Sequence, residues 1–225
     1  MVSLEHPYRT LFRVSFFAIA FGFVEASVVV YLRALYYPAG FAFPLAVMEN
    51  RHLVVEILRE LATILMLASV GYLAGGRAWE RFGYFLVAFG VWDIFYYVWL
   101  KVLIHWPMSL TDWDILFLIP LPWIGPVFAP LIIALGMVFT GVLLVLRLWR
   151  GKHFRPDVAA WLLALAGTIV LLYSFMSDTG ATLYGKGPRP YASGLLVAGM
   201  VLYTLSYLRS CALLPRMPSS SHETS

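Results

Sequence analysis

The sequence predicts an all-α, polytopic integral membrane bundle of about six transmembrane helices. Three observations carry that expectation. Aliphatic, aromatic and cysteine residues make up 61% of the 225 residues. Only 12% of residues are charged, about half the share of a soluble domain. Several runs exceed the ~18 apolar residues that cross ~30 Å of hydrocarbon. Residues 1–214 read as a single transmembrane domain, and 215–225 as a disordered cytoplasmic tail. The net charge of +4 is small and follows from topology, so it does not read as affinity for nucleic acid. The single cysteine, Cys211, excludes an intrachain disulfide, a cysteine-based zinc site and a dithiol redox centre.

Span one is expected at about 14–35. It is longer than a signal-peptide core and carries Glu25 at its middle, so it reads as a retained helix. Ala18, Gly22 and Ala26 recur every fourth residue and form a stripe that lets a neighbouring helix approach closely. The aromatic stretch Tyr36–Arg51, broken by Pro38, Gly40 and Pro44, is expected to lie along the interface. Span two, about 53–74, stops at Gly75-Gly76. Span three, about 82–104, holds Asp93 centrally and closes at His105-Trp106-Pro107.

The segment Met108–Pro130 is too short before Pro120 to span, and its prolines at 120, 122, 126 and 130 remove backbone donors. It is expected to be a re-entrant or interfacial element between spans three and four, with Ser109 or Thr111 capping a short helix. Spans four to six follow at about 127–149, 158–177 and 193–207. Span four carries Gly136 and Thr140 as a small pair. Gly185–Pro190 lacks the spacing of a phosphate loop and reads as solvated.

Lys and Arg set the orientation. With the N-terminus inside, ten fall on the inner side and five on the outer, with Arg59 inside span two. The positive-inside rule then places both termini in the cytoplasm, in a cell (inner) membrane. Trp79, Trp149 and Trp161 gather at inner ends, and Trp99, Trp106, Trp113 and Trp123 toward the outer side, as interfacial belts do. Trp92 falls at mid-depth, beside Asp93.

Function is expected where charge enters the hydrocarbon: Glu25, Glu56, Arg59, Glu60 and Asp93, with Lys101 near the outer edge. Each such residue costs ~2.5–3.5 kcal/mol at a helix centre on insertion scales, so these groups must face one another or water. Glu56, Arg59, Glu60 and Thr63 share one helical face, which His52 extends by a turn. Asp93, Tyr96, Tyr97 and Lys101 follow the same spacing. Four carboxylates then meet two cations, and the surplus calls for a proton or a bound cation.

Three readings are open. One is an interhelical salt-bridge network, with Arg59 shared by Glu60 and either Glu25 or Asp93 and with Glu56 solvated. Another is a site for a proton, a cation or a small lipophilic ligand, serving transport or lipid-phase chemistry; its residues would be Glu25, Glu56, Arg59, Glu60, Asp93, Tyr97 and Lys101. The third is a metal site for iron, manganese or zinc drawing on His52, Glu56 and Glu60 at i, i+4 and i+8, with His105, Glu25 and Asp93, for which the sequence lacks the paired Glu-x-x-His pattern of di-iron bundles. Asp112 and Asp114 read as outer-surface caps. No zinc-protease helix, nucleophile elbow or dinucleotide fingerprint is present, and no cofactor is indicated. The function classes that follow are a binder or transporter, an accessory subunit docking a membrane-protein partner, and an intramembrane enzyme acting on a lipid-like substrate. The lipid bilayer is the one partner common to all three.

Overall fold

The computed structural model describes residues 6–38, 49–119, 121–177, 179 and 189–212. These form six helices and one β-hairpin. In chain order they are α1 (Pro7–Tyr36), α2 (Asn50–Ala74), α3 (Ala78–Ile104), β1 (Trp113–Phe117), β2 (Trp123–Pro126), α4 (Phe128–Trp149), α5 (Val158–Met176) and α6 (Ser193–Ala212). Most of the expected interfacial stretch after α1, most of Gly185–Pro190 and the tail from 215 lie outside the described residues.

Five of the six helices, all but α2, are long and apolar enough to cross a membrane. The outer surface agrees. Phe12, Tyr31, Leu73, Phe139 and Val158 are 67–82% exposed, which is untenable for so many large apolar side chains in water and suited to lipid. The chain is an integral membrane protein built as a helical bundle.

Small residues set the packing, because apolar side chains gain little by leaving lipid for one another. The stripe on α1 is buried against α3: Ala18 and Ala26 are fully covered, and a Cβ on Gly22 would sit 3.0 Å from the Trp92 carbonyl oxygen. Between α3 and α4 the close approach falls at Gly83–Gly141 and Gly90–Ala134. The expected Gly136–Thr140 pair does not make that seam: Gly136 faces only the end of the Met200 side chain. α5 and α6 form a second tight pair through Gly167 and Gly199. Asp157 caps α5 by accepting the Ala160 N–H at 2.9 Å, and its other oxygen takes Arg209 Nη2 of α6 at 2.6 Å.

Helix ends fall where backbone chemistry dictates. A Cβ on Gly75 would lie 2.5 Å from the Arg81 nitrogen, so the α2–α3 turn needs glycine there. Glu80 then accepts the N–H groups of Gly76 and Arg77 at 3.1 and 3.2 Å. Trp79 meets Phe154 and Trp161 with ring centroids 4.8 and 6.1 Å away, so Trp79 and Trp161 gather at one end of the bundle as expected.

The proline-rich segment departs from the expected short helix. Its backbone pairs with itself as an antiparallel hairpin, Trp113 opposite Pro126 and Asp114 opposite Gly125, with an irregularity between Ile115 and Phe117. Pro122 and Pro126 forbid a helix, whereas the aromatic and β-branched residues between them suit a strand. Asp112 does act as a local cap, accepting the Met108 and Ser109 N–H groups at 2.7 and 3.2 Å. The hairpin rests on α5, where a Cβ on Gly125 would lie 2.8 Å from the Phe175 ring.

Candidate functional site

The helical face of α2 that begins at Glu56 points inward. Glu56, Glu60 and Thr63 are buried at 7%, 5% and 2% exposure. Arg59, between them, forks onto Glu56 through Nε–Oε2 at 2.9 Å and Nη2–Oε1 at 2.5 Å. Its remaining Nη1 donates to Glu25 on α1. Thr63 Oγ1 donates to the other Glu25 oxygen at 3.3 Å. One guanidinium therefore serves two carboxylates and joins two helices. The partners differ from those expected: Glu56 is paired and buried, and Glu60 is not held by Arg59.

Glu60 turns instead to the hairpin. Both of its oxygens lie on the Leu118 N–H, at 3.0 and 2.9 Å. Leu118 follows directly after β1, where the ladder ends, and an unpaired N–H in an apolar interior is costly. Glu60 supplies the missing acceptor.

A second ion pair lies across the same space. Arg33 Nη2 meets Asp114 Oδ1 at 2.9 Å, with both side chains largely buried. The Arg33 guanidinium stacks 3.7 Å from the centre of the Trp106 ring. Tyr96 donates to the other Asp114 oxygen at 3.4 Å, and the Tyr97 hydroxyl lies beside the same carboxylate. Asp114 is only 3% exposed, so it is no surface cap. Sequence reasoning missed this pair, yet a signal was present. Arg33 lies eight residues after Glu25, on the same helical face, and strand alternation turns Asp114 away from Trp113.

These groups line one cavity of about 800 Å³, to which α1, α2, α3, the hairpin, α4 and α5 all contribute, a size that suits a small organic molecule. Of the residues expected in the site, Glu25, Glu56, Arg59, Glu60, Asp93 and Tyr97 all line it. Lys101 does not: its ammonium folds onto the His105 and Pro107 carbonyls at 3.3 and 2.7 Å and closes the C-terminus of α3. His52 is exposed, with Nδ1 2.5 Å from the Tyr36 hydroxyl, and His105 is an exposed left-handed residue ending α3. Among the described residues no three His, Cys, Asp or Glu side chains stand close enough to hold a metal ion.

The charge balance is more uneven than the sequence suggested. Glu25, Glu56, Glu60, Asp93 and Asp114 are five carboxylates and Arg33 and Arg59 are two guanidiniums, so three negative charges remain if all ionise. Asp93 stands apart. It makes no ion pair or hydrogen bond to a described residue, and the charges acting on it, those of Asp114 and Glu25, are both negative.

Fold and site together define a class: a helical integral membrane protein with a largely apolar cavity among its helices that holds a cluster of carboxylates. Comparisons with family models, with curated proteins and with solved structures give no match.

Proposed function

We propose that the protein binds or translocates a proton, a cation or a small lipophilic ligand in this cavity. One observation carries the reading: five carboxylates share two guanidiniums around a single cavity, and Asp93 faces it unpartnered. Charge left unmatched in a membrane interior is costly, and a proton or a cationic ligand removes that cost. In this reading α2 crosses the bilayer as a sixth span, both termini are cytoplasmic, and the hairpin roofs the cavity on the outer side as a re-entrant element. The test compares wild type with Asp93→Asn and Glu60→Gln by native mass spectrometry and a folding assay. Bound mass lost with the fold kept supports the site. Variants that keep their bound mass take these carboxylates out of the binding site, and variants that fail to accumulate in the membrane point to a purely structural network.

A second reading is supported by what two ion pairs and one backbone-to-carboxylate hydrogen bond join. Arg59 links α1 to α2, Glu60 links α2 to the hairpin, and Arg33 links α1 to the hairpin. An accessory subunit would use such ties to hold its shape for a membrane-protein partner. Native purification separates the two readings: a stoichiometric partner favours the accessory role, and a lone, stable monomer argues against it.

A further inference from the structure

The cavity has two unlike walls. On one, every carboxylate already has a protein donor: Arg59 on Glu25 and Glu56, Arg33 on Asp114, and the Leu118 N–H on Glu60. The other is a run of five aromatic rings drawn from four elements. Phe89 and Trp92 of α3 meet edge-on at 5.3 Å. Phe117 of β1 lies 6.3 and 6.4 Å from them. Trp123 of β2 is 5.4 Å from Phe117, and Phe175 of α5 stacks on Trp123 at 6.2 Å, with ring planes 6° apart. All five line the cavity. Asp93, next to Trp92 in the chain, enters the same space without a partner.

We propose that the ligand is a lipophilic organic cation, an amine or quaternary ammonium on an apolar body, with its charged nitrogen at Asp93 and its body along the ring wall. The inference rests on the proposed binding role of the cavity and narrows it to a ligand class. The alternatives fit less well. A bare divalent ion needs several oxygen ligands at about 2.0–2.6 Å, and the described residues offer no such group. A carboxylate or phosphate would add negative charge beside Asp93, Asp114 and Glu25. A neutral lipid would leave Asp93 to be balanced by a proton alone. An ammonium neutralises Asp93, gains cation–π attraction from adjacent aromatic faces and carries apolar surface for the remaining rings.

The experiment uses three probes on one skeleton, phenylhexylamine, phenylhexanol and phenylhexanoate, titrated by native mass spectrometry into the purified full chain. The amine is expected to bind at least about tenfold tighter than the alcohol, by the worth of one well-placed charge pair, with the carboxylate weakest. Asp93→Asn should weaken the amine about thirtyfold, the low end for removing a buried charge partner, and leave the alcohol unchanged. The wild-type ranking needs no variant, so a misfolded Asp93→Asn protein does not spare the proposal. If the alcohol or the carboxylate binds as tightly as the amine, the ligand class is wrong while the cavity remains a binding site. If none of the three binds, the cavity is not a site for a small organic ligand and this proposal falls, while the proton and inorganic-cation readings are decided by the Asp93→Asn and Glu60→Gln comparison above.

Discussion

Arg59→Met isolates the effect of one guanidinium held by two carboxylates. Arg59 is flanked by Glu25 and Glu56, 8% and 7% exposed, and its own side chain is 22% exposed. Removing one partner of a buried ion pair costs about 3–5 kcal/mol, chiefly because the other charge is left unmatched. Two carboxylates lose their partner here, so the upper part of that range is expected. Methionine keeps most of the volume and isolates the charge. The triple variant Glu25→Gln, Glu56→Gln, Arg59→Met has no charge left to strand and should recover most of the loss. Reversible unfolding by SDS titration in mixed micelles, followed by circular dichroism, gives both values. If the single variant is no less stable than the triple, Arg59 is not neutralising its neighbours and the electrostatic account of the site is wrong.

Two further predictions concern packing and pH. Gly90→Ala places a Cβ 2.5 Å from the Ala134 carbonyl oxygen and 2.8 Å from Val138 Cγ2, and should cost about 1–3 kcal/mol by forcing α3 from α4. Gly136→Ala, which meets only the flexible end of Met200 at 2.6 Å, should cost far less in the same melt. Asp157 is held down from 3.8 to about 2, first by its hydrogen bonds from Arg209 and then by the Ala160 N–H. Its folded value is depressed, so its contribution is complete above about pH 4 and is lost as pH falls toward 2. Asp157→Asn should flatten the stability profile in that window, and an unchanged acid limb would remove Asp157 from the account.

Much of the scaffold was legible because membrane chemistry leaves few options. Apolar runs fixed the helices, Gly75-Gly76 the α2–α3 turn, and the Ala18–Gly22–Ala26 stripe the face that α3 meets. The inward face of α2 was readable from spacing alone, since no lipid-facing position would carry Glu56, Arg59 and Glu60. Pairing was not readable. Arg59 reaches Glu25 because α1 approaches closely, and Glu60 turns away because a strand end needs an acceptor; neither fact is local in sequence. The hairpin was missed because prolines announce the end of a helix without naming what replaces it. Lys101 was misplaced for a related reason. Helical spacing puts it on Asp93's face, but a long flexible chain at a helix end finds the nearest free carbonyls first.

The Arg59–Glu25 contact also bears on how the chain is made. Glu25 leaves the ribosome 34 residues ahead of the guanidinium that balances it. Until α2 follows, α1 carries an uncompensated carboxylate at its middle, which lipid receives poorly. If α2 crosses the bilayer, as proposed, the first helix gains by waiting at the site of insertion for the second, and the two would enter as one hairpin. The same arginine that joins two walls of the finished cavity thus couples their delivery, so its loss should be felt during biogenesis before it is felt in the folded protein.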